Sequence, residues 1–149
     1  MFQNILVPVD GSKMAESILD HVEDMARFAR AKVTLLQVED APLMLGRDEV
    51  IDANVYKKNQ EIRKERVKSY LLNLVGNLEE RGIEAHYKIG YGSVIKSIME
   101  TAEEEKADLI AMATHGFDSL SRTVFGSVAA SLVQKIHCPM LITRRNGIS

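Results

Sequence analysis

Cys138 is the only cysteine among 149 residues, which rules out an intrachain disulfide framework and a multi-cysteine metal site. No apolar stretch approaches the ~20 residues that span a bilayer. Met1 to Asn4 lead into an apolar run that Pro8 and Asp10 end almost at once, so a secretory hydrophobic region is missing too. A cytoplasmic, reducing location with no membrane partner is the expectation. Basic residues are not in surplus: 19 Lys and Arg face 21 Asp and Glu, for a formal charge of -2. Nothing therefore favours a nucleic-acid partner, which selects for a basic face. A Walker-type phosphate loop is absent. None of His21, His86, His115 and His137 stands at zinc-ligand spacing from an acidic or cysteine partner. No Ser or Cys nucleophile motif accompanies His115. No catalytic residue and no metal ligand is assigned.

What the chain does contain is an ordinary globular balance, 46% apolar and 27% charged, of a length that suits one domain over residues 1–149. Ile5 to Val9 is a short, nearly unbroken apolar run, the mark of a strand buried on both faces. Pro8 belongs near its end, because it has no N–H to give a ladder. Asp10-Gly11-Ser12 turns the chain, and Ser12 caps a helix whose apolar stripe runs from Ala15 to Ala29. Lys32 to Val38 reads as a strand, Glu39 to Asn54 as a loop, and Val55 to Arg81 as a charged helix stopped by Gly82. Ile83 to Ile89 alternates as an edge strand does. A loop over Gly90 to Ser93 then leads into a helix running to Ala107. Leu109 to Ala113 and Met140 to Thr143 are the last strands, and Arg144 begins a fraying tail. At least nineteen residues separate each strand from the next, enough for a crossover helix. The pattern predicts a five-stranded parallel α/β sheet with helices on both faces; strand order is not visible in periodicity.

Such sheets bind ligands beyond the carboxyl ends of their strands, where strand order reverses. Asp10 stands at one such end, either as an acceptor for a ribose hydroxyl or an adenine amino group or as a turn-forming aspartate. Gly116 lets backbone N–H groups approach a phosphate. Gly126-Ser127 presents a helix N-terminus, with Ser127 as cap of a helix over Val128 to Ile136. Each also has an ordinary explanation as a turn glycine or a cap. His115 reads as a loop histidine and Cys138 as a structural thiol. Arg122 is open between phosphate and water, and Tyr91 between a stacked base and the core.

ILVPVDGS at Ile5–Ser12, KVTLLQV at Lys32–Val38, DLIAMATHG at Asp108–Gly116, GSVAASLV at Gly126–Val133 and CPMLITR at Cys138–Arg144 together resemble the universal stress protein family over nearly the whole chain. The family's nucleotide-binding members space Gly, two residues, Gly, nine residues and Gly-Ser/Thr; here the second glycine is Gly116 and the final pair is Gly126-Ser127. The resemblance implies an open sheet of order 3-2-1-4-5, of the adenine nucleotide alpha hydrolase-like type. It also implies an ATP site, with AMP as the alternative and Mg2+ as a companion. Pro8, Val9, Asp10 and Val38 would hold the adenosine end. Met112, Ala113, His115, Gly116, Gly126, Ser127 and Val128 would wrap ribose and phosphates. Family members pair as homodimers through the strand here at Met140 to Thr143. Their role is regulatory or sensory in stress, with at most slow ATP hydrolysis. Two positions depart from the pattern. Ala113 replaces the first glycine, so Ala113→Gly is expected to raise affinity by removing a crowding methyl, and Gly90-Tyr91-Gly92 replaces Gly-Asp-Pro. Those departures favour the alternatives, chiefly a dimeric scaffold that binds no nucleotide; a phosphoanhydride hydrolase is the third reading.

Overall fold

The computed structural model describes residues 2–41, 53–114 and 124–144, the side chains of 124 and 125 excepted. Its five strands are β1 (Asn4–Pro8), β2 (Lys32–Glu39), β3 (Ala85–Tyr91), β4 (Leu109–Thr114) and β5 (Met140–Arg144). They form one parallel sheet of order β3-β2-β1-β4-β5, the order that the resemblance implied. The helices are α1 (Lys13–Glu16), α2 (Leu19–Ala29), α3 (Ala53–Glu80), α4 (Val94–Glu104) and α5 (Val124–Lys135). None is long and apolar enough to cross a membrane among the described residues.

Strand alternation sorts the core into two layers. Ile5, Val7 and Val9 pack with Val33, Leu35, Ala111 and Ala113 against α2 and α3. Leu6 packs with Leu36, Ile110 and Met112 against α4 and α5. Because successive side chains of a strand point to opposite faces, a central strand with both faces covered must be apolar throughout. That is the run ILVPV. Pro8 closes β1, and the next residue, Val9, resumes the ladder by donating its N–H to the Leu36 carbonyl at 2.8 Å.

The start of β1 is held by a side chain from far along the chain. Asp108, just before β4, accepts from the Gln3 N–H at 2.8 Å through Oδ2 and from the Asn4 N–H at 2.9 Å through Oδ1. Its own N–H donates to the Asn4 carbonyl at 2.9 Å. One carboxylate thus sets the register between β1 and β4 from the strand's N-terminal side.

Several boundaries differ from expectation. The helix capped by Ser12 is interrupted: the Ser17 hydroxyl (2.6 Å) and Ser17 N–H (3.1 Å) both donate to the Met14 carbonyl. That tightens one turn and separates α1 from α2. Ser12 does cap α1, accepting from the Ala15 N–H at 3.1 Å, and Gly82 does stop α3, with left-handed φ of 79°. The α4 helix ends at Glu104 rather than Ala107, because Lys106 takes φ of 53° and Ala107 N–H turns back to the Ala102 carbonyl at 2.8 Å. Arg144 belongs to β5, paired with Thr114. Residues 42–52 of the expected loop, and the tail after Arg144, lie outside the described residues.

Gly90 and Tyr91, expected in a loop, are strand residues paired with Val38 and Glu39. The glycine is needed for close approach: a Cβ there would stand 2.9 Å from Ser97 Oγ and 3.0 Å from Ser97 Cβ on α4. Gly90→Ala is expected to destabilise by about 1–3 kcal/mol through overpacking, and adding Ser97→Gly should restore much of that loss in a double-mutant cycle read by urea denaturation. Asp108→Ala is expected to cost about 1–3 kcal/mol by the same measurement, since two strand N–H groups lose a charged acceptor.

Candidate functional site

From β1 the chain runs outward through β2 and β3, then returns to place β4 and β5 on the other side of β1. The connections leaving the carboxyl ends of β1 and β4 therefore diverge, and the crevice between them is where such a sheet binds ligands. Both α1 and α5 pack on β4, one following each of these strand ends.

The expected site residues divide between the two layers of the core. Met112 is fully buried, Val128 nearly so, and Val38 half-buried; all three join the apolar cluster on the α4 and α5 side. Pro8 ends β1, buried, two residues beyond Leu6 of the same cluster. Val9 and Ala113 are equally buried but belong to the opposite layer, toward α2 and α3. His115, Gly116 and Arg122 lie outside the described residues.

Asp10 is exposed, and its Oδ1 accepts from the Ser12 N–H at 2.9 Å and from the Ser12 hydroxyl. The turn reading of Asp10 is thus realised by one oxygen. Among the described residues Oδ2 receives no hydrogen bond, so the carboxylate keeps an acceptor facing solvent. The turn also needs Gly11, whose φ is 87°. Tyr70 of α3 supports it from below: its hydroxyl donates to Glu16 Oε2 at 3.0 Å. Burial, then the hydrogen bond to Glu16 and its charge, push this phenol well above its ordinary range. It stays a neutral donor.

Ser127 does not cap a helix. The α5 helix begins at Val124, so Gly126 and Ser127 are its third and fourth residues. An interior glycine costs a helix only about 0.5–1 kcal/mol, too little to delay the start to Val128. A Cβ built on Gly126 would meet nothing within 4 Å among the described residues. Packing against those residues does not require glycine there.

Ala113 is a strand residue, as expected, paired with Thr143, and its φ is not positive. The difference lies in its methyl, which is buried in the α2 and α3 layer instead of crowding a ligand loop. The β4 strand runs one residue past the expected end at Ala113, to buried Thr114. Its β-branched side chain was the available signal. Among the described residues, no three or more His, Cys, Asp or Glu side chains group as a metal site. Cys138 donates to the Pro139 carbonyl at 3.4 Å, and burial, followed by the charge of Asp108, pushes its thiol up. It is a protonated thiol with a local partner.

The family model described as "Universal stress protein family" matches residues 1–144. The chain belongs to the universal stress protein family. Universal stress protein MJ0531 of Methanocaldococcus jannaschii is 30% identical over 145 residues, covering 97% of this chain and 84% of that protein. The structure of MJ0577 from the same organism superposes with a TM-score of 0.78 at 28% identity, covering 99% of each chain. A universal stress protein family structure from Arabidopsis thaliana, solved with AMP bound, shares the fold with a TM-score of 0.70 at 17% identity, covering 97% of this chain and 93% of that one. In this fold Ala113 is a strand residue whose methyl fills core space. Ala113→Gly is expected to lower stability by about 1 kcal/mol, measured by thermal or urea unfolding.

Proposed function

We infer that this universal stress protein binds an adenine nucleotide in the crevice between the carboxyl ends of β1 and β4. Its output is a bound or free state that serves regulation or sensing in stress. The observation that carries the reading is Gly126, where a Cβ would meet none of the described residues, set at the start of a helix that packs on β4 beside the reversal of the sheet. The first-turn N–H groups of a helix have no intrahelical partner and favour a phosphate. Family membership and the AMP held by the Arabidopsis relative support adenine as the base.

In this reading the main-chain groups at Val9 and Val38 hold the base, over the layer that contains Met112 and Val128 and beside Pro8. Asp10 Oδ2 accepts from a ribose hydroxyl. The backbone at Gly126 and Ser127, with Ala113, His115 and Gly116, faces ribose and phosphates. ATP carries its own sites for Mg2+ on the phosphate oxygens, whereas Asp10 is the single carboxylate among the proposed residues. Rapid phosphoryl transfer draws on a positioned lysine and a metal clamp, and the proposed lining contains no lysine. Slow turnover at most is expected. The protein acts in the cytoplasm as a homodimer joined along β5, whose outer edge is unpaired among the described residues and where Ile142 is 39% exposed.

Native mass spectrometry of the purified chain, before and after addition of ATP with magnesium or of AMP, should show a bound adenine nucleotide. A folded protein that takes up neither would sink the reading in favour of a scaffold that binds no nucleotide. Gly126→Leu is expected to leave stability unchanged or raise it by about 0.5–1 kcal/mol. In this reading the added side chain meets the phosphates, so nucleotide affinity should fall about tenfold or more in isothermal titration. Ala113→Gly should leave affinity unchanged, since the removed methyl faces the other layer. Ile142→Lys, a charge on an edge strand, should convert the dimer to monomer in sedimentation velocity.

A further inference from the structure

The α3 face of the sheet carries a hollow that the nucleotide reading does not use. It lies between the first half of α3 and the carboxyl ends of β2 and β3, with a volume of about 310 Å³. That is the lower end of the range of small-molecule sites, roughly 300–1,000 Å³. Its wall is apolar: Val67 and Tyr56 of α3 face Ile89 and Tyr91 of β3. Tyr91 is 49% exposed as the last residue of its strand. Of the two readings open from sequence alone, a stacked base or a cover over the core, its place beside Val67 and Ile89 fits the second.

The hollow is separate from the crevice for a reason of strand geometry. Val38 turns toward α4 and α5, and Glu39, one residue on, lines the hollow on the other face. Glu39 does not make the hollow acidic. Arg63 grips both its oxygens, Nε to Oε1 at 2.6 Å and Nη2 to Oε2 at 3.3 Å, in the two-pronged geometry that guanidinium and carboxylate favour. Gln37 adds a donor to Oε2 at 3.2 Å. With that pair neutralised, Lys57 and Lys64 dominate the charge of the lining, opposed by Glu61 alone. They stand seven residues apart, two turns, and so share one side of α3. Neither makes an ion pair with any described residue.

We propose that this hollow is a second ligand site, for a small amphipathic organic anion, with its apolar body against Val67, Ile89 and the tyrosines and its carboxylate or sulfonate toward Lys57 and Lys64. The proposal stands independently of nucleotide binding in the crevice.

The test uses 8-anilino-1-naphthalenesulfonate and its uncharged relative N-phenyl-1-naphthylamine as probes on the full chain, with and without saturating ATP. Amide shifts in a 15N spectrum should move at Val67, Ile89 and Tyr91 on adding the sulfonate, and should do so equally with ATP present. Shifts at Val9, Met112 and Val128 report the crevice separately. In the double variant Lys57→Glu and Lys64→Glu, both exposed positions, sulfonate affinity should fall about tenfold. The uncharged probe should bind within about twofold of its original affinity. The proposal is overturned if the sulfonate fails to bind or shifts only crevice amides. It is equally overturned if the double variant binds the sulfonate as before or loses both probes alike.

Discussion

Everything in this fold depends on covering β1 from both sides. The strand pairs with β2 on one edge and β4 on the other, and helices close both of its faces. A strand in that position has no solvent-facing side on which to carry a charge, and every backbone group in it must find a partner inside the sheet. Ile5, Leu6 and Val7 meet the first demand. The ladder bonds, the Val9 N–H and the grip of Asp108 on Gln3 and Asn4 meet the second. Asp108 joins residues more than one hundred positions apart, so β1 and β4 come into register as a unit.

The crevice follows from the same arrangement. With β1 central, the chain fills one flank with β2 and β3 and the other with β4 and β5, and the connections beyond β1 and β4 must part. Met112, Val128 and half-buried Val38 belong to the core layer on the α4 and α5 side. A backbone turn ordered by Asp10, Ser12 and Gly11 follows the end of β1. At the end of β2, alternation gives adjacent residues to different surfaces: Val38 belongs to the crevice side, Glu39 to the hollow beneath α3.

Much of this was legible without coordinates, and the misses have physical causes. Central strands were visible because full burial leaves a continuous apolar run, and Ser12 and Gly82 were visible because caps and stops rest on local chemistry. Gly90 and Tyr91 were misread because Gly-Tyr-Gly-Ser has turn composition, while pairing with Val38 and Glu39 keeps the first two extended. Ser127 was misread because Gly-Ser before an apolar stripe looks like a helix start. The helical hydrogen-bond ladder begins earlier, and one glycine cannot stop it. Ala113 was given a methyl that crowds the ligand on a motif alone, whereas the strand buries that methyl against α2 and α3.

By itself the sequence determined the class of the fold, five buried or half-buried strands alternating with crossover helices, because burial and periodicity are written residue by residue. Its motifs also pointed to the family and to the order of the strands. Tertiary structure alone decided which residues share a surface. It put the methyl of Ala113 on the layer opposite Met112, left the side of Gly126 free of described neighbours and made a hollow of Tyr91, Ile89 and α3. The reason is that such neighbourhoods depend on strand register and on the side each helix takes, which are contacts between distant segments and leave no local mark in composition or spacing.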